Sequence, residues 1–506
     1  MRIFPLRVCL NNLYRVWQAS FWYTSSNIAY ETRDFMDKRT RNILLSCGVL
    51  LIIVCLCLGA ATAVGAGVLI LRPASTSVAP FGEILPTPNT QLPTPNAQLP
   101  TPLPTSTAQS ALDPQISQSM DLIQSQVVSL RGLDPSQSVP RRLLSDAELR
   151  DKVINDFLSE YTPEDASQDA RVLALLGLLP ADFDLRSLYT ELYSEQIAGF
   201  YDDEEKAMYV VQGAGFTGME KSTYAHEYTH VLQDQVYDFN DGLGYTDETC
   251  QEDTERCAGI QALIEGDAVL TETLWLQTYA SEQDIRDLMS FYNDYESPVF
   301  DSAPHYMSED FMFPYVKGQA FVQGLYDQGG FEAVDAAYRQ VPMSTEQILH
   351  PEKYPTDLPI PVDLPDLSAS LGTGWEEVDR NVMGEWYTYL ILAHGFEKDI
   401  RINDSRALTG SAGWGGDTYL VYENGTTKEL AFVMRSTWDT AQDQSEFVDA
   451  FTEYANARWG KAKTTNLGST WQGDDQHILF YESDGFVTWI MVPEAYQAEK
   501  IVAALP

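Results

Sequence analysis

The chain has 506 residues, of which 44% are hydrophobic and 21% are charged, and this composition excludes a largely disordered polypeptide. It carries 32 Lys and Arg residues against 73 Asp and Glu residues, for a net charge of −41. Because nucleic-acid binding needs a basic surface, we expect no nucleic-acid partner. The length indicates about three domains.

The first predicted element is a transmembrane helix over residues 43–71, which contain no charged side chain in 29 positions. A helix of that length rises about 43 Å, more than the ~30 Å hydrocarbon core of a bilayer. Residues 1–41 hold seven basic and three acidic groups, which predicts a cytoplasmic segment 1–42 and a single-pass cell-membrane protein whose bulk is extracytoplasmic. A cleaved signal peptide and a start at Met36 are the alternatives.

Residues 72–111 are predicted to be a Pro/Thr-rich linker. The tetrapeptide Leu-Pro-Thr-Pro begins at positions 85, 92 and 99, a seven-residue repeat that cannot form a hydrophobic core. Its prolines favour extended polyproline II structure. We therefore expect a stalk between the membrane and the folded part of the chain.

Apolar periodicity predicts helices through residues 112–190, the helical N-terminal part of the ectodomain. Residues 191–362 are predicted to form a core that begins with a β-hairpin, since two apolar runs flank the polar Asp202-Asp-Glu-Glu205. The two strands of the hairpin are predicted at 197–201 and 206–212. The predicted helices are 116–129, 146–161, 166–178, 219–236, 258–279, 281–292, 316–328 and 331–339.

Residues 363–506 are predicted to form a separate α+β domain. Asn424-Gly425 and Asp484-Gly485 each lie between two alternating apolar runs, which is typical of tight hairpin turns. We expect a four-stranded antiparallel sheet with helices on one face. The predicted elements are a helix 375–394, strands 418–422, 429–435, 477–482 and 486–492, and helices 441–458 and 494–504.

Two cysteines, Cys250 and Cys257, lie in the extracytoplasmic part of the chain. In an oxidising compartment, a pair separated by six residues is predicted to close a small disulfide loop. A zinc site is the alternative, but it needs further Cys or His residues and the sequence has none nearby.

The pentapeptide His226-Glu227-Tyr228-Thr229-His230 carries the strongest chemical signal. On a helix, residues four apart project from one face, so both imidazoles can bind one Zn²⁺ ion. Glu227 is about 100° further round the helix and is predicted to be the general base that takes a proton from a metal-bound water. The alternative is a helix that merely carries polar residues at these positions.

A hydrolytic zinc site needs a third protein ligand, and Glu265 is the predicted one. It lies among apolar neighbours on the next long helix, where an isolated carboxylate would be costly. The alternative is a glutamate that forms hydrogen bonds within the core. Asp267 and Glu272 are predicted either to hold an imidazole N–H group or to be ordinary surface acids.

The two motifs, His226–His230 and Glu265-Gly-Asp-Ala268, resemble the gluzincin pattern of zinc metallopeptidases. Four stretches are also similar to a family of uncharacterised bacterial membrane-anchored zincin-like proteins, namely 195–201, 225–235, 262–268 and 344–354. The resemblance implies an α+β fold with a mainly helical zincin-like core and a small β-hairpin sheet. It implies zinc ligands at His226, His230 and Glu265 and a base at Glu227, but no particular substrate. Ile264 stands where well-known gluzincins have Asn.

These features predict a membrane-anchored, extracytoplasmic zinc metallopeptidase that acts on a peptide or protein. A catalytically inactive zincin-fold binding protein and a metal-dependent hydrolase of a non-peptide substrate are the alternatives. Zincins bind extended substrates along an edge strand, for which residues 206–212 are the candidate. The residue that stabilises the oxyanion is not assigned: the candidates are His305, Tyr306, Tyr315 and His350, and the alternative for each is a packed aromatic or a hydrogen-bonded histidine.

Overall fold

The computed structural model describes residues 8–10, by their backbone alone, together with 112–211 and 215–505. Within these residues, no helix combines the length and the apolar character needed to cross a membrane. The predicted transmembrane helix 43–71 and the linker 72–111 lie outside the described residues, as does the predicted cytoplasmic segment apart from residues 8–10.

The described residues form a mixed α+β protein. Its helices are α1 Pro114–Arg131, α2 Asp146–Lys152, α3 Pro163–Leu175, α4 Leu185–Gln196, α5 Gly218–Tyr237, α6 Asp247–Glu252, α7 Thr254–Thr278, α8 Glu282–Asp294, α9 Pro298–Ser302, α10 His305–Arg339, α11 Thr345–Leu349, α12 Ser368–Leu371, α13 Gly384–Ala393, α14 Asp404–Ser411, α15 Ala441–Trp459 and α16 Ala495–Ala504. Its strands are β1 Val8–Leu10, β2 Arg141–Leu144, β3 Ile197–Asp202, β4 Ala207–Val211, β5 Trp375–Asn381, β6 Trp414–Asn424, β7 Leu430–Trp438, β8 Lys463–Thr464, β9 Ser469–Gln472, β10 His477–Ser483 and β11 Phe486–Val492.

The predicted hairpin belongs to a four-stranded sheet with the order β1-β3-β4-β2. Strands β3 and β4 pair antiparallel, and β2 pairs parallel to β4 on its other side. Lys206 has a φ of 49° in the turn between β3 and β4, and Asp202 accepts the backbone N–H of Glu205 at 2.8 Å. The sequence did not predict β2, because a four-residue strand carries too little periodicity to be recognised.

Helix α5 is buried on all sides. Every residue from Ser222 to Asp234 is buried, and α1, α7, α8 and the small sheet pack around the helix. Burying polar side chains on such a helix is costly unless they form hydrogen bonds or ion pairs. The polar residues of the pentapeptide are therefore held inside the protein by specific partners.

Helices α7 and α10 cross at two glycines. A Cβ atom built on Gly266 would lie 2.2 Å from the carbonyl oxygen of Gly318, and one on Gly318 would lie 2.1 Å from the carbonyl oxygen of Ala262. These obstacles are backbone atoms, which cannot turn aside as a flexible side chain can. The two glycines therefore allow the backbones of α7 and α10 to touch.

We expect Gly318→Ala to destabilise the protein by about 1–3 kcal/mol, because overpacking forces the helices apart. Gly324→Ala is the matched control: it lies on the same helix with open space around the added Cβ, and it removes a helix-destabilising glycine. The measurement is the midpoint of urea unfolding. Equal midpoints for the two variants would show that the crossing tolerates a methyl group.

The C-terminal sheet has seven antiparallel strands in the order β5-β6-β7-β11-β10-β9-β8, so the prediction of four strands was wrong. The four predicted strands are present as β6, β7, β10 and β11. The other three are either very short or, in β5, rich in charged residues. Such segments form strands through pairing with a neighbour and not through their own apolar pattern.

Both faces of this sheet are covered, which corrects the prediction of helices on one face. Residues 419, 421, 432 and 434 share one core with α15, and residues 420, 422, 431 and 433 share a second with α16. Consecutive apolar residues in β6 and β7 are typical of a sheet buried on both sides.

Residues 375–394 are not one helix. They form β5, which pairs with β6, and then α13, which begins at Gly384. Gly384, the first residue of α13, has a φ of 71°, so the right-handed helix cannot continue back through it toward β5, and Asp417 accepts its N–H at 2.9 Å. The two helices predicted at 316–328 and 331–339 are confirmed within α10, whose helical conformation breaks at Gly329 and Gly330; the first of them begins earlier than predicted, at His305.

The C-terminal part shares a continuous apolar core with the helices before it. The Phe313 ring of α10 lies 4.7 Å from the Trp386 ring of α13. Asp310, also on α10, accepts hydrogen bonds from the Trp386 indole and the Tyr387 hydroxyl. Burial raises the pKa of Asp310 to about 6, against the effect of these two donors.

Candidate metal centre

Helices α5 and α7 bring the three predicted ligands together. Atom Oε2 of Glu265 lies 3.2 Å from Nε2 of His226 and 3.4 Å from Nε2 of His230. The two imidazole rings are 4.8 Å apart and nearly perpendicular. Ligand atoms placed tetrahedrally at 2.0–2.1 Å from one zinc ion are about 3.3 Å apart, so the arrangement has the dimensions of a zinc site.

The other nitrogen of each imidazole also has a partner. Nδ1 of His226 lies 3.3 Å from Oε2 of Glu272, which itself accepts a hydrogen bond from Ser222. Nδ1 of His230 lies 2.8 Å from Oε1 of Gln233. These acceptors place the proton on Nδ1 and direct Nε2 of both rings toward Glu265. In metal-bound histidines, an acceptor at the nitrogen that does not bind the metal has the same effect.

A further chain of hydrogen bonds supports His230 from behind. Gln233 donates from Nε2 to Asp267 at 2.9 Å, and Tyr338 donates to the same carboxylate oxygen. Arg131, from α1, donates to Asp267 at 2.8 Å, and both side chains are fully buried. Asp267 therefore acts on the imidazole through Gln233, whereas Glu272 contacts its imidazole directly.

Glu227 lies on the side of α5 that faces the small sheet. Its Oε2 atom accepts the backbone N–H of Tyr201 in β3 at 2.8 Å. Gly199 of the same strand allows this approach, since a Cβ there would lie 2.8 Å from Thr223 and 3.6 Å from Cγ of Glu227. The strand thus fixes the carboxylate beside the two histidines without joining it to the ligand cluster.

Burial and neighbouring charges set the electrostatics of the site. Burial raises the pKa of Glu227 to about 7, opposed by His230 and His226. Burial also acts to raise the pKa of Glu265, but the two histidines outweigh it and lower the pKa to about 2. The pKa of His226 rises to about 10, because hydrogen bonds to Glu265 and Glu272 outweigh its burial. The carboxylate of Glu265 is charged and fully buried, and a carboxylate in that position needs a positive charge beside it.

The residues present fit a divalent cation. Nε2 of His230 and Oε1 of Glu265 are buried atoms without a hydrogen-bond partner in the structure. Buried polar atoms are seldom left in this state. Two imidazole nitrogens and a carboxylate are the donor set of many catalytic zinc sites, and a cation bound by these atoms would satisfy both.

The structure does not bring the four candidate residues for stabilising an oxyanion together at the site. Only Tyr315, on α10, lies near the site, with its ring 6.5 Å from that of His226. Tyr306 is buried in the core, His350 pairs with Glu385 at 2.9 Å, and His305 contacts His394. Tyr315 is therefore the one of the four residues that the structure places beside the ligand cluster.

Strand β4, which is the described strand within the predicted segment, is not an edge strand, so the predicted substrate-binding edge was wrong. Strand β4 lies between β3 and β2, and both of its edges are paired. The strand that contacts Glu227 is β3, whose other edge is paired with β1. The error follows from missing β2, which comes from a distant part of the chain.

Cys250 and Cys257 are joined by a disulfide that links α6 to the first turns of α7. Both cysteines are buried, and they lie in the main core rather than in the ligand cluster. The structure therefore gives them a structural place at the start of the helix that carries Glu265.

Sequence reasoning missed Gln233, Ser222, Arg131 and the N–H of Tyr201. Gln233 could have been found, because it lies three residues after His230 on the same helix face. Arg131 lies 136 residues from its partner Asp267, and no local pattern connects them.

A comparison with known protein families gives a match that covers the C-terminal part of the chain. Residues 371–502 match a family described as Domain of unknown function (DUF8575). This range contains the whole seven-stranded sheet and excludes α5 and α7. No curated protein and no solved structure matches the chain.

Proposed function

We propose that the protein is a zinc-dependent metallopeptidase with a zincin-like core, which hydrolyses a peptide or protein substrate. One observation carries the proposal: Oε2 of Glu265 lies within 3.4 Å of Nε2 of both His226 and His230, with the buried carboxylate of Glu227 beside them. A binding scaffold would not need a second, non-ligating carboxylate at this position. The same ligands and base would also serve a hydrolase of a non-peptide ester or amide, and the resemblance of the two motifs to gluzincins favours the peptide substrate.

His226, His230 and Glu265 would hold the ion, and Glu272 and Gln233 would keep the two imidazoles in the correct tautomer. The ion, when bound, supplies Lewis acidity to the scissile carbonyl and lowers the pKa of water. Glu227 accepts the proton of the attacking water and then passes it to the leaving amine nitrogen. The N–H of Tyr201 holds Glu227 in place for both transfers.

We also propose that this enzyme is anchored in the cell membrane by residues 43–71 and acts outside the cytoplasm. The uncharged segment and the basic excess before it support the anchor and its orientation. The Cys250–Cys257 disulfide supports an oxidising compartment for the folded part.

The test is the zinc content of the full-length protein, purified in detergent through a tag without histidine. We expect Glu265→Gln and His226→Ala each to lose one zinc ion per chain and all cleavage of casein, since three protein ligands are the minimum for such a site. Glu255→Gln is the matched control. Glu255 is a buried glutamate on the same helix, and it accepts hydrogen bonds from Thr345 that glutamine can also accept.

Unchanged zinc content in both ligand variants would overturn the proposed centre. If zinc is lost but the wild-type protein cleaves no protein or peptide, the centre is correct and the peptidase assignment is wrong. That second result would favour the binding protein or the hydrolase of a non-peptide substrate.

A further inference from the structure

A second group of ligating side chains lies where α10 begins and α13 ends. His305 is the first residue of α10, Glu309 is one turn further along, and His394 directly follows α13. One ligating atom from each of the three lies within 4.8 Å of the other two. The donors are two imidazoles and one carboxylate, the same set as in the first site.

The two histidines face each other through equivalent nitrogens. Nδ1 of His305 lies 2.5 Å from Nδ1 of His394, and the rings are stacked with their centres 4.6 Å apart. A shared metal ion would separate the two nitrogens to about 3.3 Å. Since the side chain of His305 is exposed, it is free to move by that amount.

One ring nitrogen of His394 has a hydrogen-bond partner, which is typical of metal-binding histidines. His394 is only 5% exposed, and its Nε2 atom lies 2.8 Å from the hydroxyl of Tyr389. An Nε2–H group donating to that oxygen leaves the lone pair on Nδ1, the atom that lies against His305. The exposed side of the cluster leaves room for water as a further ligand.

A third group of ligating side chains, made of carboxylates alone, already has a positive charge among them. Glu346, Asp357 and Asp439 also lie close together, but the ammonium group of Lys353 pairs with all three. In that group a lysine supplies the positive charge. The donors around His394 are arranged for a cation that prefers imidazole nitrogen.

We propose that His305, Glu309 and His394 bind a second divalent transition-metal ion, of which Zn²⁺ is the probe of choice. Imidazole and carboxylate ligands suit zinc, and the same set also accepts nickel or copper. The site is separate from the first, because His305 lies ten residues before Tyr315 on α10, a rise of about 15 Å.

The second ion would join two parts of the protein. His305 and Glu309 belong to the helix that packs on α7, and His394 belongs to the DUF8575 region. A ligand that binds only the folded state stabilises it, so the ion would act as a structural clamp. This role does not depend on peptidase activity.

The experiment measures zinc per chain and the melting temperature in full-length protein without a histidine tag. We expect His305→Ala and His394→Ala each to lose one zinc ion per chain while casein cleavage persists. Added zinc should raise the melting temperature of the wild type by a few degrees more than that of His305→Ala. His305 is exposed, so its replacement keeps the fold.

His477→Ala is the control for weak binding to histidines, since His477 lies on β10 away from both clusters. It should keep the wild-type zinc content. Wild-type zinc content in both His305→Ala and His394→Ala would overturn the second site, as would an equal loss in His477→Ala. Failure of the first site alone would leave one zinc ion in the wild type and none in His305→Ala.

Discussion

Glu227→Gln should reduce casein cleavage by about 10²–10⁴-fold while the protein keeps its zinc and its melting temperature. Glutamine has nearly the same shape and still accepts the N–H of Tyr201, but it cannot take a proton from water. General-base catalysis typically contributes a factor of this size. The measurements are the rate of casein cleavage and the zinc content of the same sample.

Glu220→Gln is the matched control, since it lies two turns earlier on α5 and its role is to accept the N–H of Thr217. It should retain full activity. Glu227→Asp tests whether the lost rate of Glu227→Gln comes from the missing base. The shorter side chain still ends in a carboxylate that can take a proton, so it should restore part of the rate. A Glu227→Gln protein that cleaves casein at the wild-type rate would remove Glu227 from the mechanism.

Arg131→Met should destabilise the protein by about 3–5 kcal/mol, the largest effect on stability that we expect from one substitution. Both side chains of the native pair are 0% exposed, so the variant leaves the buried carboxylate of Asp267 without the guanidinium that neutralises it. Zinc affinity should fall as well, because Asp267 orients Gln233, which orients His230. Urea unfolding and zinc titration measure the two effects.

Two further variants test this explanation. Arg141→Met removes a pair with Asp121 that is 19% and 64% exposed, and it should cost less than about 1 kcal/mol. Adding Asp267→Asn to Arg131→Met removes both buried charges and should recover much of the lost stability. A small effect of Arg131→Met alone would show that the buried pair is not needed.

The same contacts bear on whether residues 112–190 act as a removable prosegment. Helix α1 supplies Arg131 to the support of the metal centre, and β2 covers the edge of β4. Loss of both would leave a buried carboxylate unpaired and a sheet edge exposed. These residues are therefore an integral part of the fold.

Much of the candidate site could be predicted because its signals are local. Histidines four apart must share a helix face, and a glutamate within an apolar helix such as α7 must find a partner. The strands β6, β7, β10 and β11 were predicted because hairpin turns and apolar runs mark them. Strand β5 was mistaken for helix because its charged residues have no strand pattern of their own.

The sequence by itself determined which side chains could bind a metal, since ligand chemistry and helical spacing are properties of neighbouring residues. Only the tertiary structure decided what surrounds them. The pairs Arg131–Asp267 and His305–His394 join residues 136 and 89 positions apart. Strand β2 likewise meets β4 from a distant segment. Such contacts depend on which helices and strands pack against each other, and apolar periodicity marks the buried face of an element without identifying its partner.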